Sequence, residues 1–378
     1  MNLKDAASGF FKLGKPKTTA MSTSKADREA RQTKFSFGLY GLVTSLLLGS
    51  VAGVNWLIDP LWYSHGNILT GKNFTFNERI TKTNLFLRTK EQANYDCLIL
   101  GSSRVTNLRV SEFVDNRCFN FALKGGEITD FIEYGSFVKE QGVEPEVVYL
   151  GVDGLNFVEE EQKEQSSTSI PRTQSPLEAY LSADVLLFSA MTLLGVSPDP
   201  GSYYDRNFEP ADFANPPAYN PDFYKPGSQQ RCDLSSVERF ISLKELFPNA
   251  KFVAYVPPRS AWSMINDTYG RGLMDCYLTA FYQLAQSYDV MYDFSIPSKV
   301  TKNPHNTFDG SHYSVKVNNQ IAKILQQDSE PNFGIRIDRY SFEEYRKIYR
   351  QQLRQFLVEN NQLQRWEDRQ EISIDLVP

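Results

Sequence analysis

Three histidines, His65, His305 and His312, are the only imidazoles in 378 residues, so any proton-transfer chemistry that needs one must use them. His312 has the most informative surroundings, Phe308-Asp309-Gly310-Ser311-His312-Tyr313-Ser314. An aspartate and a histidine three residues apart can share one loop. The carboxylate then accepts from one imidazole nitrogen while the other faces a serine. A serine fit for that role stands in Leu100-Gly101-Ser102-Ser103-Arg104, where a short apolar run ends and the chain must turn. A second run ends in Asn120-Phe121-Ala122-Leu123-Lys124-Gly125-Gly126-Glu127, whose glycines let a backbone N–H approach a developing oxyanion unobstructed. Activated-serine acyl chemistry is what these residue types can do together.

The elements that must position them are legible as short apolar, β-branched or aromatic runs. These are Cys97 to Leu100, Cys118 to Ala122, Val147 to Val152, Phe252 to Val256 and Val290 to Phe294. Helix-period segments at 127–140, 234–247, 271–287 and 315–326 alternate with them, which predicts an α/β fold with a parallel sheet and helices on both faces. In such sheets ligands bind at the carboxyl ends of the strands, where Ser103 and Gly125 fall. The run Val256-Pro257-Pro258-Arg259 brings Arg259 to the same edge, and His305 lies on a polar loop seven residues before His312. Between about 155 and 233 lies an insertion whose Pro, Asn and Tyr content argues against regular structure and for a partly ordered lid. An amphipathic helix over 341–368 follows, reading as packed on its own domain.

From Phe37 to Ile58 the chain has no formal charge, and 22 helical residues cover about 33 Å, enough to cross a bilayer core. The first 34 residues hold eight basic and three acidic side chains, so this tail is cytoplasmic by the positive-inside rule and the rest is exported. With the whole chain at −5, the body after that tail stands at −10, a poor footprint for nucleic acid. Export permits disulfides, and Cys97 with Cys118 and Cys232 with Cys276 are possible pairs. No cysteines stand at C-x-x-C spacing, so zinc is not expected, and nothing calls for a cofactor. The expected organisation is a basic tail (1–36), a transmembrane helix (37–58), a juxtamembrane segment (59–94), an α/β domain (95–327) and a C-terminal helical extension (328–378). His65, near the membrane exit, reads as a surface or packing residue.

Taken together, Ser103, Gly125 and the late Asp309-x-x-His312 resemble the SGNH (GDSL-like) hydrolase and acyltransferase superfamily over roughly residues 95–327. The resemblance implies a flavodoxin-like three-layer parallel sheet, with Ser103 as nucleophile, Gly125 as oxyanion donor, and Asp309 and His312 as acid and base. Within the superfamily, the Gly-Ser-Ser start and the single N-terminal anchor are most similar to the DltD family and the SGNH proteins of alginate O-acetylation. That implies acyl transfer onto or off a cell-envelope polysaccharide, with a membrane-bound acyl-transfer protein as partner. Ser102 stands where many members have Asp. The third block departs further, with Asp153 in place of the family's Asn in Val148-Tyr149-Leu150-Gly151-Val152-Asp153-Gly154.

An ionised carboxylate cannot donate to an oxyanion. Two arrangements would resolve the conflict. Asp153 is turned away and tied to backbone amides or to a cation such as Arg104 or Arg259 while Asn156 supplies the donor, or it is protonated and donates like an Asn; the first costs less. Arg104 itself is read either as a contact for an anionic substrate group or as a structural salt-bridge partner. The functional expectation is a membrane-anchored extracytoplasmic serine esterase or O-acyltransferase. The alternative is a non-catalytic scaffold or binding protein of a polysaccharide assembly.

Overall fold

The computed structural model describes residues 20–159, 170, 175–197, 203–212, 217–224, 228–327 and 330–364. Parts of the expected basic tail, the insertion and the C-terminal extension lie outside these described residues. The main sheet contains β2 (Cys97–Leu100), β3 (Cys118–Asn120), β4 (Val147–Gly151), β6 (Lys251–Val256), β7 (Val290–Asp293) and β8 (Ile335–Arg336), in the order β3-β2-β4-β6-β7-β8. All pairings are parallel except β7 with β8. A separate antiparallel pair joins β1 (Asn73–Phe74) to β5 (Tyr203–Tyr204). Helices are α1 (Ala20–Ile58), α2 (Glu78–Ala93), α3 (Ile128–Glu140), α4 (Pro176–Tyr180), α5 (Ala183–Leu194), α6 (Ser235–Leu246), α7 (Ala261–Ser263), α8 (Met274–Ala285), α9 (Val315–Gln326) and α10 (Phe342–Glu359).

Alternation along the strands builds two cores. Leu98 and Leu100 of β2 face one side, with side chains of α3, α6, α8 and α10, while Cys97 and Ile99 face the other, with α9. Numbering the five parallel strands in chain order gives 2-1-3-4-5 across the sheet, a doubly wound arrangement whose switch point lies between β2 and β4. Residues following those two strands, Ser102 to Arg104 and Asp153, therefore face each other across the crevice the topology opens.

Both cysteine pairs are disulfides, Cys97–Cys118 and Cys232–Cys276. The first follows directly from register, because Cys97 and Cys118 are partners at the amino ends of neighbouring parallel strands. It joins the two strands whose far ends deliver Ser103 and Gly125. For its 21-residue separation, the paired change Cys97→Ser/Cys118→Ser should cost about 2–4 kcal/mol of stability, read as a lowered midpoint in denaturant titration.

Three features differ from the sequence reading. The insertion is not irregular throughout: Ser182 caps α5 by accepting from the Asp184 N–H, and Gly195 ends it in the left-handed conformation. The turn-forming residues around this apolar run mask it in a compositional reading. Second, the C-terminal extension is not helical alone, since Ile335–Arg336 extends the sheet as an antiparallel edge. Third, α1 begins within the basic tail at Ala20 and runs unbroken through the apolar segment. The expectation that the last helix packs on its own domain holds, with Tyr345 donating to Asp293 at 2.6 Å and Phe356 lying edge-on to Trp262.

Among the described residues, one helix, α1, is long and apolar enough to cross a membrane, and its most apolar stretch is exposed. Its last turns are nonetheless built into the fold. Asn55 donates to the carbonyls of Tyr180 (2.8 Å) and Ser182 (3.1 Å) and accepts from Ser189 (2.9 Å). Asp59, fully buried, accepts from the N–H groups of Tyr63, Ser64, His65 and Gly66. His65 packs edge-on to Trp56 beside this turn, away from any catalytic partner.

Candidate active site

Ser103 and His312 are 209 residues apart, and the fold brings them together. His312 Nε2 lies 2.8 Å from Ser103 Oγ, while its Nδ1 lies 2.7 Å from Asp309 Oδ2. The second carboxylate oxygen of Asp309 accepts from the N–H groups of Ser311 and His312, each at 2.8 Å, so the loop is wound around its own acid. Burial alone would raise the Asp309 pKa. The hydrogen bond and charge of His312, with the two N–H groups, outweigh it and hold the carboxyl well below the usual carboxylate range. Asp309 is therefore ionised across any working pH and orients the imidazole. Loss of activity on acidification would therefore not report protonation of this carboxylate.

Gly125 and Gly126 form the turn after β3. Gly125 has φ +60°, a region costly for other residues, with open space where a side chain would stand. Gly126 is different: a Cβ there would meet the Leu123 carbonyl at 2.9 Å and the Gly101 carbonyl at 3.1 Å. Gly126→Ala must therefore move backbone on both sides of the site. Gly125→Ala should leave the turn in place at a cost of about 1–2 kcal/mol. Ester-hydrolysis rates of the two variants should separate accordingly, with Gly126→Ala the more damaged. Among the described residues, neither the Ser103 N–H nor the Gly125 N–H is committed to a protein acceptor, so both are free to meet an oxyanion.

A buried pair on α2 supports this turn. Glu78 accepts from the Lys124 N–H at 2.6 Å and from the Tyr204 hydroxyl at 3.2 Å. Lys82 lies 3.4 Å from Glu78 and donates to the Ala122 carbonyl. Burial lowers the Lys82 pKa, with the Glu78 charge opposing that shift. Sequence reasoning missed this pair, and nothing in the spacing of residues 78 and 82 relates it to a turn forty positions later.

Asp153 is where the sequence departs from the SGNH pattern it otherwise resembles, and it is paired. Its Oδ1 accepts from Arg104 Nη1 at 2.7 Å, and its Oδ2 accepts from the Ser102 hydroxyl. This is the cation-tied arrangement, with Arg104 as the cation. Asn156, on the turn after Asp153, donates one amide hydrogen to the Asp153 carbonyl at 3.1 Å and lines the same cleft as Ser103. Among the described residues, no acceptor meets its second amide hydrogen.

The cleft has a volume of 540 Å³, and its walls carry Arg104, Glu127, Asp153, Asn156, Asp233 and Arg239 alongside Ser103, Gly125 and His312. Glu127, Asp233 and Arg239 were not singled out from sequence, where they carry no motif. Two expected site residues are placed elsewhere. Arg259 donates to Asp267 (3.0 Å) and Thr268 (3.2 Å) behind the Arg104–Asp153 pair; burial, then the Arg104 charge, lower its pKa. It does not line the cleft, because its own loop supplies nearer acceptors. His305 is exposed on a short turn capped by Asn303 and also lies off the cleft walls. Of the expected lid, the described residues bordering the cleft are Leu155, Asn156, Val158 and Asp233 at the insertion's two ends. Compared with protein-family models and with curated proteins, the chain matches none.

Proposed function

We propose that this protein is a membrane-anchored, extracytoplasmic serine esterase or O-acyltransferase of the SGNH type, acting on acyl groups of a cell-envelope or exported polysaccharide. The observation that carries the reading is the continuous Ser103–His312–Asp309 hydrogen-bond chain at the carboxyl edge of the sheet. The 2-1-3-4-5 strand order supports the flavodoxin-like, SGNH-type assignment. Ser103 Oγ attacks the acyl carbonyl carbon as its proton passes to His312 Nε2, and the Ser103 and Gly125 N–H groups receive the oxyanion. His312 returns the proton to the departing alkoxide, leaving an acyl-serine. Water or a sugar hydroxyl then attacks that ester, with His312 again taking the proton, and Ser103 is restored.

A cleft walled by carboxylates, guanidinium groups and an amide suits a polyhydroxylated substrate. The two disulfides and the exposed apolar α1 support an extracytoplasmic body on an uncleaved anchor, since cleavage after α1 would remove the buried Asn55 and its three hydrogen bonds. A membrane-bound acyl donor fits such a location. The test is labelling of the full-length protein in detergent with a fluorophosphonate probe, followed by peptide mass spectrometry. The adduct is expected on Ser103 and should be lost in His312→Ala. A folded protein that takes up no probe would overturn the catalytic reading in favour of a binding role in a polysaccharide assembly.

A further inference from the structure

The helical part of the insertion has no role in the proposed chemistry, yet its composition is unusual for a surface element. From Val185 to Val196 it has no charged residue, and a short apolar helix of this length is either a core helix or an interfacial one. It is not a core helix. Only Val185, Ser189 and Thr192 are buried, while Leu177, Leu181, Leu187, Leu193, Leu194 and Val196 are exposed, Leu194 at 78%. The polar side chains Ser189 and Thr192 point inward and the leucines outward, the reverse of a water-facing helix.

Its partner says what covers that outer face. The pair α4 and α5 packs on α1 through Asn55, along the stretch from Val51 onward in which only Val54 and Trp56 stay exposed. Those last eight residues of the apolar segment, Val51 to Ile58, correspond to about 12 Å of helix rise at its outer end. An element fastened there is held at the depth of the outer lipid–water boundary. We propose that α4 and α5 form a second membrane-seated element, lying in the outer interface of the bilayer with Leu187, Leu193 and Leu194 among the acyl chains. The proposal rests on the reading of α1 as a membrane span.

The seat is linked to the site. Phe188 of α5 stacks on Phe76 with ring centroids 4.5 Å apart. Phe76 precedes the cap of α2, and Glu78 of α2 holds the Lys124 N–H beside Gly125. The oxyanion turn is thus held close to the bilayer, where an acyl group presented at the membrane surface can reach Ser103.

All four native cysteines are in disulfides, so one introduced cysteine is the only thiol. Leu187→Cys and Leu194→Cys, each labelled with nitrobenzoxadiazole in the full-length chain, are reconstituted into phosphatidylcholine vesicles with or without nitroxide-labelled lipid. Both labels should lose most of their fluorescence to the nitroxide lipid, whereas Val114→Cys, exposed near the amino edge of the sheet, should lose none. Leu47→Cys in α1 reports on the span itself. If Leu47 is quenched and the α5 positions are not, in either a polar or an apolar environment, the seat is wrong and the anchor stands. A second copy or another protein would then cover the leucines. If Leu47 also escapes quenching, the anchor reading fails with it.

Discussion

Ser103→Ala should lower hydrolysis of p-nitrophenyl acetate by roughly 10³-fold or more, towards the uncatalysed rate, with the folded state unchanged. The effect is large because in the proposed mechanism Ser103 forms and breaks the covalent bond, and the two serines nearest it in the cleft, Ser102 and Ser311, are hydrogen-bonded to carboxylates. Ser102 is next in sequence, but its hydroxyl donates to Asp153 and its side chain is buried. His312→Ala should cost a similar factor, and the double variant should be no worse than either single one, since serine and imidazole act as a unit. Asp309→Asn keeps the loop but loses the preference for the productive tautomer, so its loss should be large yet distinct from removal of the imidazole. Additive losses across Ser103 and His312 would show that the 2.8 Å contact is not the catalytic one.

The second large effect concerns Arg104 and Asp153. Their side chains are 12% and 7% exposed, so the pair is desolvated and each charge depends on the other. Arg104→Gln leaves the Asp153 carboxylate buried with the Ser102 hydroxyl alone, and removal of one partner of a buried pair typically costs about 3–5 kcal/mol. Asp153→Asn strands the guanidinium instead and should also destabilise. The double variant Arg104→Gln/Asp153→Asn should recover much of that loss, because neither charge is then unbalanced. Denaturant titration of the four proteins measures the coupling. The esterase rate adds a second readout: with the carboxylate neutralised by Arg104, Asp153→Asn should bring no gain. A clear rise with the fold intact would mean that the native carboxylate suppresses the oxyanion site, which favours a binding role for the protein.

What the residues announce by themselves is local. Hydrophobic period distinguishes strands from helices, so β2, β3, β4, β6 and β7 and helices α3, α6, α8 and α9 are legible, and with them the edge where Ser103 and Gly125 lie. Asp309 and His312 are legible for the same reason, since their contact spans three residues of one loop. The charge-free run of α1 and the basic tail before it need no folding to be read.

Tertiary structure decided the rest, where contacts join residues far apart in sequence. Arg104 and Asp153 are 49 residues apart, and residue types alone offered Arg259 as an equal partner; strand order placed Arg104 across the crevice and left Arg259 to Asp267. Glu78 reaches Lys124, and Asn55 reaches Ser189, only because α2 and α5 are carried there by elements in between. The same limit hid the meaning of α5. An apolar helix has one pattern whether its own domain covers it or not, and only the packing on α1 shows that the leucines of α5 are the face left outward.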